Sequence, residues 1–161
     1  MNEVLLAGAA SASAVAFEKF LAVAHNLSPF VTTYRQDADT FTKLANPAVL
    51  PTGVGRSVAF SADGAYMAVA HDASPFVNIY KRSGDTFTKL ADPAAPPTSY
   101  GRSVAFSADG AYMAVGYAAS PFVAIYKRSG DTFTKLADPA VLPTGVGYGV
   151  AFYPRAFEGS I

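Results

Sequence analysis

The segment SVAFSADGAYMAVAHDASPFVNIYKRSGDTFTKL, residues 57–90, decides the fold, because nearly the same letters return 46 residues later. Two 46-residue units, Arg56–Gly101 and Arg102–Gly147, follow one another without a gap. A fixed period of this length indicates an array of repeated structural units. The two units differ at only eight pairs of positions, namely 70/116, 71/117, 72/118, 78/124, 95/141, 96/142, 99/145 and 100/146.

The same phase continues on both sides of these units. Ser28–Val31 precedes Ser74–Val77 by 46 residues, and Val150–Phe152 follows Val104–Phe106 by 46 residues. The 161 residues therefore hold about three and a half repeats.

Each unit predicts four short antiparallel strands and no helix. In the unit that starts at Arg56 we expect strands at 57–61, 66–71, 76–81 and 86–90, where β-branched and aromatic residues concentrate. The Asp63-Gly64 pair between the first two strands is a strong hairpin signal. The proline-rich connection after the fourth strand cannot continue a strand ladder. The sequence therefore predicts an all-β fold.

Four short strands in each repeat are typical of a β-propeller blade. The stretch VAFSADGAYMAVAHDASPFVNIYK also resembles the repeat of WD40-like and YVTN-type β-propellers, in the VAFS strand, the Asp-Gly turn and the aromatic residue near the end of the third strand. That residue is Tyr34, Tyr80 or Tyr126 here, and no Trp-Asp pair occurs. The SPFVxIYKRSGDTFTKL repeats are similar to those of tail- or virion-associated proteins of bacteriophages and prophages.

We label the four strands of a blade a (inner) to d (outer). The repeats divide the chain into three blades, but the first blade starts with strand b and an extra strand a follows the third blade. Twelve strands are expected, which is the number in three blades. The predicted parts are residues 1–19, an N-terminal extension or altered first strand; 20–55, blade 1 with strands b, c and d; 56–101, blade 2; 102–147, blade 3; and 148–161, a lone inner strand completing a blade of a neighbouring chain.

This division predicts a homo-oligomer. Three blades are too few for a ring, since propellers have about 4 to 8, and an arc would expose apolar blade faces and an open strand edge. A homodimer with six blades is favoured and a homotrimer with nine is second. The strand expected to close the ring contains Gly149, Val150, Ala151, Phe152 and Tyr153. The alternative is a fragment that aggregates or closes differently.

Charge and composition exclude several classes of protein. Twelve Lys and Arg balance twelve Asp and Glu, so the chain lacks the positive surface of a nucleic-acid binder or a polybasic membrane-surface protein. It has no cysteine, which excludes disulfides, thiolate metal sites and a thiol nucleophile. The apolar run Val4–Phe17 is too short to span a bilayer, and a signal peptide is not expected because only Glu3 is charged before it.

Two pairs of residues at equivalent positions are candidates for binding. Arg56 and Arg102 each begin an inner strand and could contact an anion at the channel mouth. His25 and His71 end strand b in adjacent blades, but their long spacing is unlike that of a zinc site, so no metal and no cofactor is expected.

No catalytic constellation or phosphate-cradling motif is present, so no catalytic residue is expected. The sequence therefore predicts a non-enzymatic oligomeric propeller acting as a structural or binding module, associated with a virion or a surface. One alternative is a glycan- or peptide-binding module that uses exposed aromatic residues such as Tyr100, Tyr117 and Tyr148. Another is a small-molecule hydrolase with a channel metal at His25 and His71.

Overall fold

A computed structural model describes residues 19–153 as eleven β-strands in three antiparallel sheets. Within this range there is no helix, and hence none long and apolar enough to cross a membrane. Each sheet has the strand order of its sequence, as expected for propeller blades joined by short hairpins. The predicted all-β fold, a segment of three propeller blades, is confirmed.

The strands of the three blades have closely matched bounds. Blade 1 contains β1 (Lys19–Ala24), β2 (Val31–Asp37) and β3 (Thr40–Lys43); blade 2 contains β4 (Gly55–Phe60), β5 (Tyr66–His71), β6 (Val77–Ser83) and β7 (Thr86–Lys89); blade 3 contains β8 (Gly101–Phe106), β9 (Tyr112–Tyr117), β10 (Val123–Ser129) and β11 (Thr132–Lys135).

The repeated Ser-Ala-Asp-Gly sequence forms the hairpin between the first and second strands of a blade. In blade 2 the Asp63 carboxylate accepts hydrogen bonds from the Ser61 hydroxyl at 2.5 Å and the Ala65 amide at 3.0 Å. Gly64 has a φ of +66°, a backbone conformation that favours glycine. Blade 3 repeats these contacts with Ser107, Asp109 and Gly110, so the motif explains the turn in both blades.

The core lies between blades, because alternate side chains of each second strand face opposite neighbours. Met67 and Val69 of β5 belong to the cluster shared with blade 1, whereas Ala68 and Ala70 belong to the cluster shared with blade 3. Each buried large side chain contributes roughly 1.5–3 kcal/mol. Stability therefore comes largely from stacking one blade on the next.

Two expectations about the chain ends have different outcomes. Gly149–Tyr153, predicted to be an inner strand, contains no strand; in this segment the Val150 amide donates a hydrogen bond to Ser103 Oγ at 3.1 Å. The reason is that no neighbouring strand pairs with it in a single chain. The expectation for residues 1–19 falls outside the described residues, except that Lys19 begins β1.

Each repeat has a glycine where its inner strand begins, because the preceding blade lies close to the Cα atom of that glycine. A Cβ at Gly55, Gly101 or Gly147 would overlap the carbonyl oxygen of Phe30, Phe76 or Phe122, respectively. These phenylalanines end the Ser-Pro turns between the second and third strands, which contain cis peptide bonds. The repeated glycine therefore marks a close approach of the backbones of successive blades.

This contact predicts the effect of adding one methyl group. Gly101→Ala is expected to lower the free energy of unfolding by about 1–3 kcal/mol, because the new Cβ overlaps Phe76 O and lies 3.1 Å from Ala70 Cβ. Gly145→Ala is the matched control, since nothing lies within 4 Å of its Cβ position. Urea unfolding measures both, and equal stability of the two variants would contradict the close approach.

Candidate functional site

All eight differences between the two near-identical units lie toward one end of the blades, five in turns or connections and three at the adjoining ends of the second and third strands. This connector end comprises the turns between second and third strands, residues 72–76 and 118–122, and the connections between blades, residues 90–100 and 136–146. The differing positions in blade 2 are Ala70, His71, Asp72 and Asn78, with Ala95, Pro96, Ser99 and Tyr100 in the connection. The opposite end is identical in both units, so the connector end is where blades 2 and 3 differ chemically.

Arg56 lies at a β-bulge at this end. The pairing of β4 with β5 shifts between Gly55 and Ser57, which leaves Arg56 as the extra residue, and a bulge changes the direction of a side chain. Arg56 Nη2 contacts Asp72 Oδ2 at 2.9 Å, and Asp72 Oδ1 accepts the Val54 amide at 2.8 Å. The charge of Arg56 is therefore balanced inside its own blade.

Arg102 lies at the equivalent bulge in blade 3, between Gly101 and Ser103, but in different surroundings. Position 118, which corresponds to Asp72, is alanine. Among residues 19–153 Arg102 forms no ion pair, and its Nε is buried without a hydrogen-bond partner. Its guanidinium carbon lies 5.8 Å from the centre of the Tyr100 ring. The two arginines predicted as anion contacts thus differ, and only Arg102 lacks a carboxylate partner.

The two histidines predicted as the metal alternative each face a strand of their own blade. His25 Nε2 contacts Thr32 Oγ1 at 2.9 Å, and His71 is fully buried beside Asn78. In the part of the chain that the structure describes, neither belongs to a group of three or more His, Cys, Asp or Glu side chains able to hold a metal ion. The geometry therefore does not support a channel metal at these two residues.

Of the three tyrosines predicted to be exposed, two are exposed and one is buried. Tyr100 and Tyr148 are exposed, and the Tyr100 ring packs edge-on against Phe76 at 6.2 Å. Tyr117 is buried in the cluster between blades 2 and 3, so its predicted exposure is wrong. The position is buried because the second strand is packed between the first and third strands and against the neighbouring blade.

A groove at the outer rim of the connector end was not predicted from the sequence. It has a volume of about 290 Å³ and lies between the connection at 91–95 and β11. The nearby Asp92 carboxylate already accepts hydrogen bonds from Lys89 Nζ at 2.5 Å and Asn78 Nδ2 at 3.3 Å. No sequence motif marks this groove, because it arises where one blade's connection passes the next blade's outer strand.

Comparisons with known proteins identify the fold. No protein-family model and no curated protein sequence matches the chain. Solved structures that resemble it include a protein from Lactobacillus plantarum (TM-score 0.59, 16% identity, 74% of this chain and 36% of that one), a proposed 6-phosphogluconolactonase from Bacteroides fragilis (0.57, 18%, 66% and 31%), and the periplasmic gluconolactonase of Pseudomonas aeruginosa (0.52, 12%, 73% and 38%).

These similarities support a β-propeller fold. The chain spans about a third of the length of each of these structures, which agrees with a segment of a propeller. The identities are low, and at this level the likeness establishes the fold alone.

The comparisons also correct the functional prediction. A non-enzymatic structural or binding module, with its glycan- or peptide-binding alternative, was expected, and the prediction that the chain is not an enzyme followed from it. Both are contradicted, because similar structures are named as lactonases. No match supports a virion-associated protein. The absence of a local catalytic motif does not exclude an enzyme, because a propeller site can be assembled from separate blades.

The burial of His71 predicts a pH-dependent stability. Burial lowers the pKa of His71 below its ordinary value of 6.5, opposed by Asn78 and by the carboxylates of Asp72 and Asp92. The unfolded chain therefore binds a proton more readily, so the contribution of neutral His71 is complete above pH 6.5 and falls as the pH drops toward the folded pKa.

Urea unfolding at pH 7.5 and 5.5 measures this effect. Between pH 6.5 and 5.5 the free energy of unfolding of the wild-type protein should fall by up to about 1.4 kcal/mol, the value for the uptake of one proton over one pH unit. The free energy of unfolding of His71→Leu should fall by less. The carboxyl group of Asp131 does not contribute to the pH dependence between pH 7.5 and 5.5, because hydrogen bonds from Lys81 and Tyr66 lower its pKa below 3.8. The same loss in both proteins would contradict the assignment to His71.

Proposed function

We propose that the propeller built from this chain hydrolyses a sugar lactone, and that Arg102 binds an anionic group of the substrate. The named lactonases among the similar structures support the reaction class. Their names give two related substrate types, one phosphorylated and one not. The electrostatics of the connector end favour the phosphorylated type.

The observation that carries this proposal is the unbalanced charge of Arg102. Its blade 2 equivalent is neutralised by Asp72 at 2.9 Å, whereas position 118 offers no carboxylate. A guanidinium presents several N–H donors in one plane and matches the oxygens of a phosphate or carboxylate. Within the described residues no hydrogen bond satisfies the Arg102 Nε either, so no acceptor of the chain competes with such a group for this side chain.

Hydrolysis of a lactone needs water and no redox change. The water oxygen bonds to the carbonyl carbon, the ring C–O bond breaks, and the ring oxygen takes up a proton. The product is a hydroxy acid, whose carboxyl group ionises at neutral pH. Arg102 takes no part in these bond changes; it binds and orients the substrate through its anionic group.

The test compares initial rates of hydrolysis of 6-phosphogluconolactone and gluconolactone above the spontaneous rate. We expect the phosphorylated lactone to be the better substrate, and Arg102→Gln to raise its KM about tenfold to a hundredfold, the loss of a charge-assisted hydrogen bond. Ala118→Asp should have a similar effect, because it places beside Arg102 the carboxylate that Asp72 offers to Arg56.

Arg56→Gln is the matched control, since Arg56 already has an acidic partner, and it should leave the KM nearly unchanged. Equal effects of the two arginine variants would contradict the role of Arg102. Hydrolysis no faster than the spontaneous rate with both lactones would contradict the activity itself.

The resemblance of the individual repeats to those of WD40-like and YVTN-type propellers remains a prediction.

A further inference from the structure

The contact between successive blades occurs twice inside the chain with the same partners. A cation at the end of the third strand reaches an aspartate of the next blade: Arg35 Nη1 lies 2.5 Å from Asp85, and Lys81 Nζ lies 2.9 Å from Asp131. An aromatic residue at the second strand packs on a phenylalanine of the next outer strand, as in Phe20–Phe87 at 6.1 Å and Tyr66–Phe133 at 5.8 Å. These pairs define an interface with two distinct halves.

Blade 3 presents the first half of this interface, and no residue between 19 and 153 occupies it. Lys127 corresponds to Lys81 and is exposed, and it forms no ion pair with the residues from 19 to 153. Val123 and Ile125 are half-buried, whereas their blade 2 equivalents Val77 and Ile79 are buried. We call this the blade 3 open face; it consists of Tyr112, Val123, Ile125 and Lys127.

Blade 1 presents the second half. Phe41 is 50% exposed, whereas its equivalents Phe87 and Phe133 are 2% and 5% exposed. Leu21 and Val23 are each 43% exposed at positions where Met67 and Val69 are fully buried. Asp39 occupies the position of Asp85 and Asp131. We call Leu21, Val23, Asp39 and Phe41 the blade 1 open face.

The inner-strand positions show the same complementarity. The Val104 amide of β8 donates to Ser57 Oγ at 3.2 Å, and the Val150 amide donates to Ser103 Oγ at 3.1 Å. The segment 149–153 therefore lies where an inner strand of a following blade would lie. Within the described residues blade 1 has three strands with β1 at the edge, and this is the edge that such an inner strand would pair with.

We infer that the blade 3 open face and the segment 149–153 bind blade 1 of a second copy of this chain. Lys127 and the Tyr112 hydroxyl then contact Asp39 of the other copy, as Lys81 and the Tyr66 hydroxyl contact Asp131 within the chain at 2.9 and 2.6 Å. Each copy offers one of each face, so two copies form two identical head-to-tail contacts and close a six-bladed ring. The inference is independent of the proposed lactonase activity.

The mass of the 161-residue chain at micromolar concentration tests this arrangement by light scattering. The expected mass is twice 16.7 kDa. Phe41→Asp should shift the protein to the mass of one chain, because it places a carboxylate in an apolar contact. A mass of one chain for the wild type would overturn the inference, and a mass of three chains would overturn the six-bladed closure.

Leu27→Asp is the matched control for Phe41→Asp. Leu27 is also exposed and apolar, but it lies in the turn at the connector end, outside both open faces. It should keep the mass of two chains. Far-ultraviolet circular dichroism of both variants checks that each retains its β-structure. Loss of the dimer in Leu27→Asp at unchanged β-structure would place the interface elsewhere and overturn the assignment of the faces.

A charge exchange tests the specific pair across the two copies. Lys127→Asp and Asp39→Lys alone should each weaken dimerisation about twofold to fivefold, the range of an exposed ion pair. The double variant should recover wild-type affinity, because it restores opposite charges. The ion pairs inside the chain remain untouched in these variants. Additive weakening in the double variant would overturn the Lys127–Asp39 contact.

A gain of affinity tests the inner-strand position. Gly149 stands where Ser57 and Ser103 supply hydroxyl groups to the next blade, and its Cβ position is unobstructed. Gly149→Ser should give the Val58 amide of the other copy the acceptor that Ser57 gives Val104, and tighten the dimer about threefold to tenfold. Unchanged or weaker affinity would overturn this register of closure.

Discussion

The packing of one blade face against the next is the constraint on which the rest of the structure depends. Each four-stranded sheet is too thin to bury its own side chains, so residues such as Met67 and Val69 are buried only by the preceding blade. Because the same pattern must fit at every junction, the packed body of each repeat tolerates little change. This agrees with the finding that five of the eight differences between blades 2 and 3 lie in turns and connections, and it explains why glycine recurs at positions 55, 101 and 147.

The connector end escapes that constraint and carries the chemical differences between blades. Replacing Asp72 of one blade by Ala118 of the next changes little in the packing but leaves a guanidinium without its carboxylate. Repeats of equal shape can thus offer unequal binding groups at one end of the ring. The proposed lactonase site uses this inequality, since an Arg102 without a carboxylate partner can orient an anionic substrate that a neutralised arginine would not hold.

The strands and turns were predictable because their signals are local. The Asp-Gly hairpins, the β-branched third strand and the proline-rich connections each constrain the backbone within a few residues. Tyr117 was predicted to be exposed and is buried, because its burial depends on the neighbouring blade. The predicted strand at Gly149–Tyr153 lacks a pairing partner in a single chain. The functional prediction was wrong because the lack of a local catalytic motif says little about sites assembled from several blades.

The sequence by itself determined the repeat, the four-stranded blade and the positions of Arg56 and Arg102 on equivalent inner strands. These follow from periodicity and turn chemistry, which act along the chain. Only the tertiary structure distinguished the two arginines, since the partner of Arg56 lies 16 residues away in a turn and the bulge directs the side chain toward it. It also decided which apolar residues remain exposed on the first and last blades, because burial is a property of the neighbouring surface.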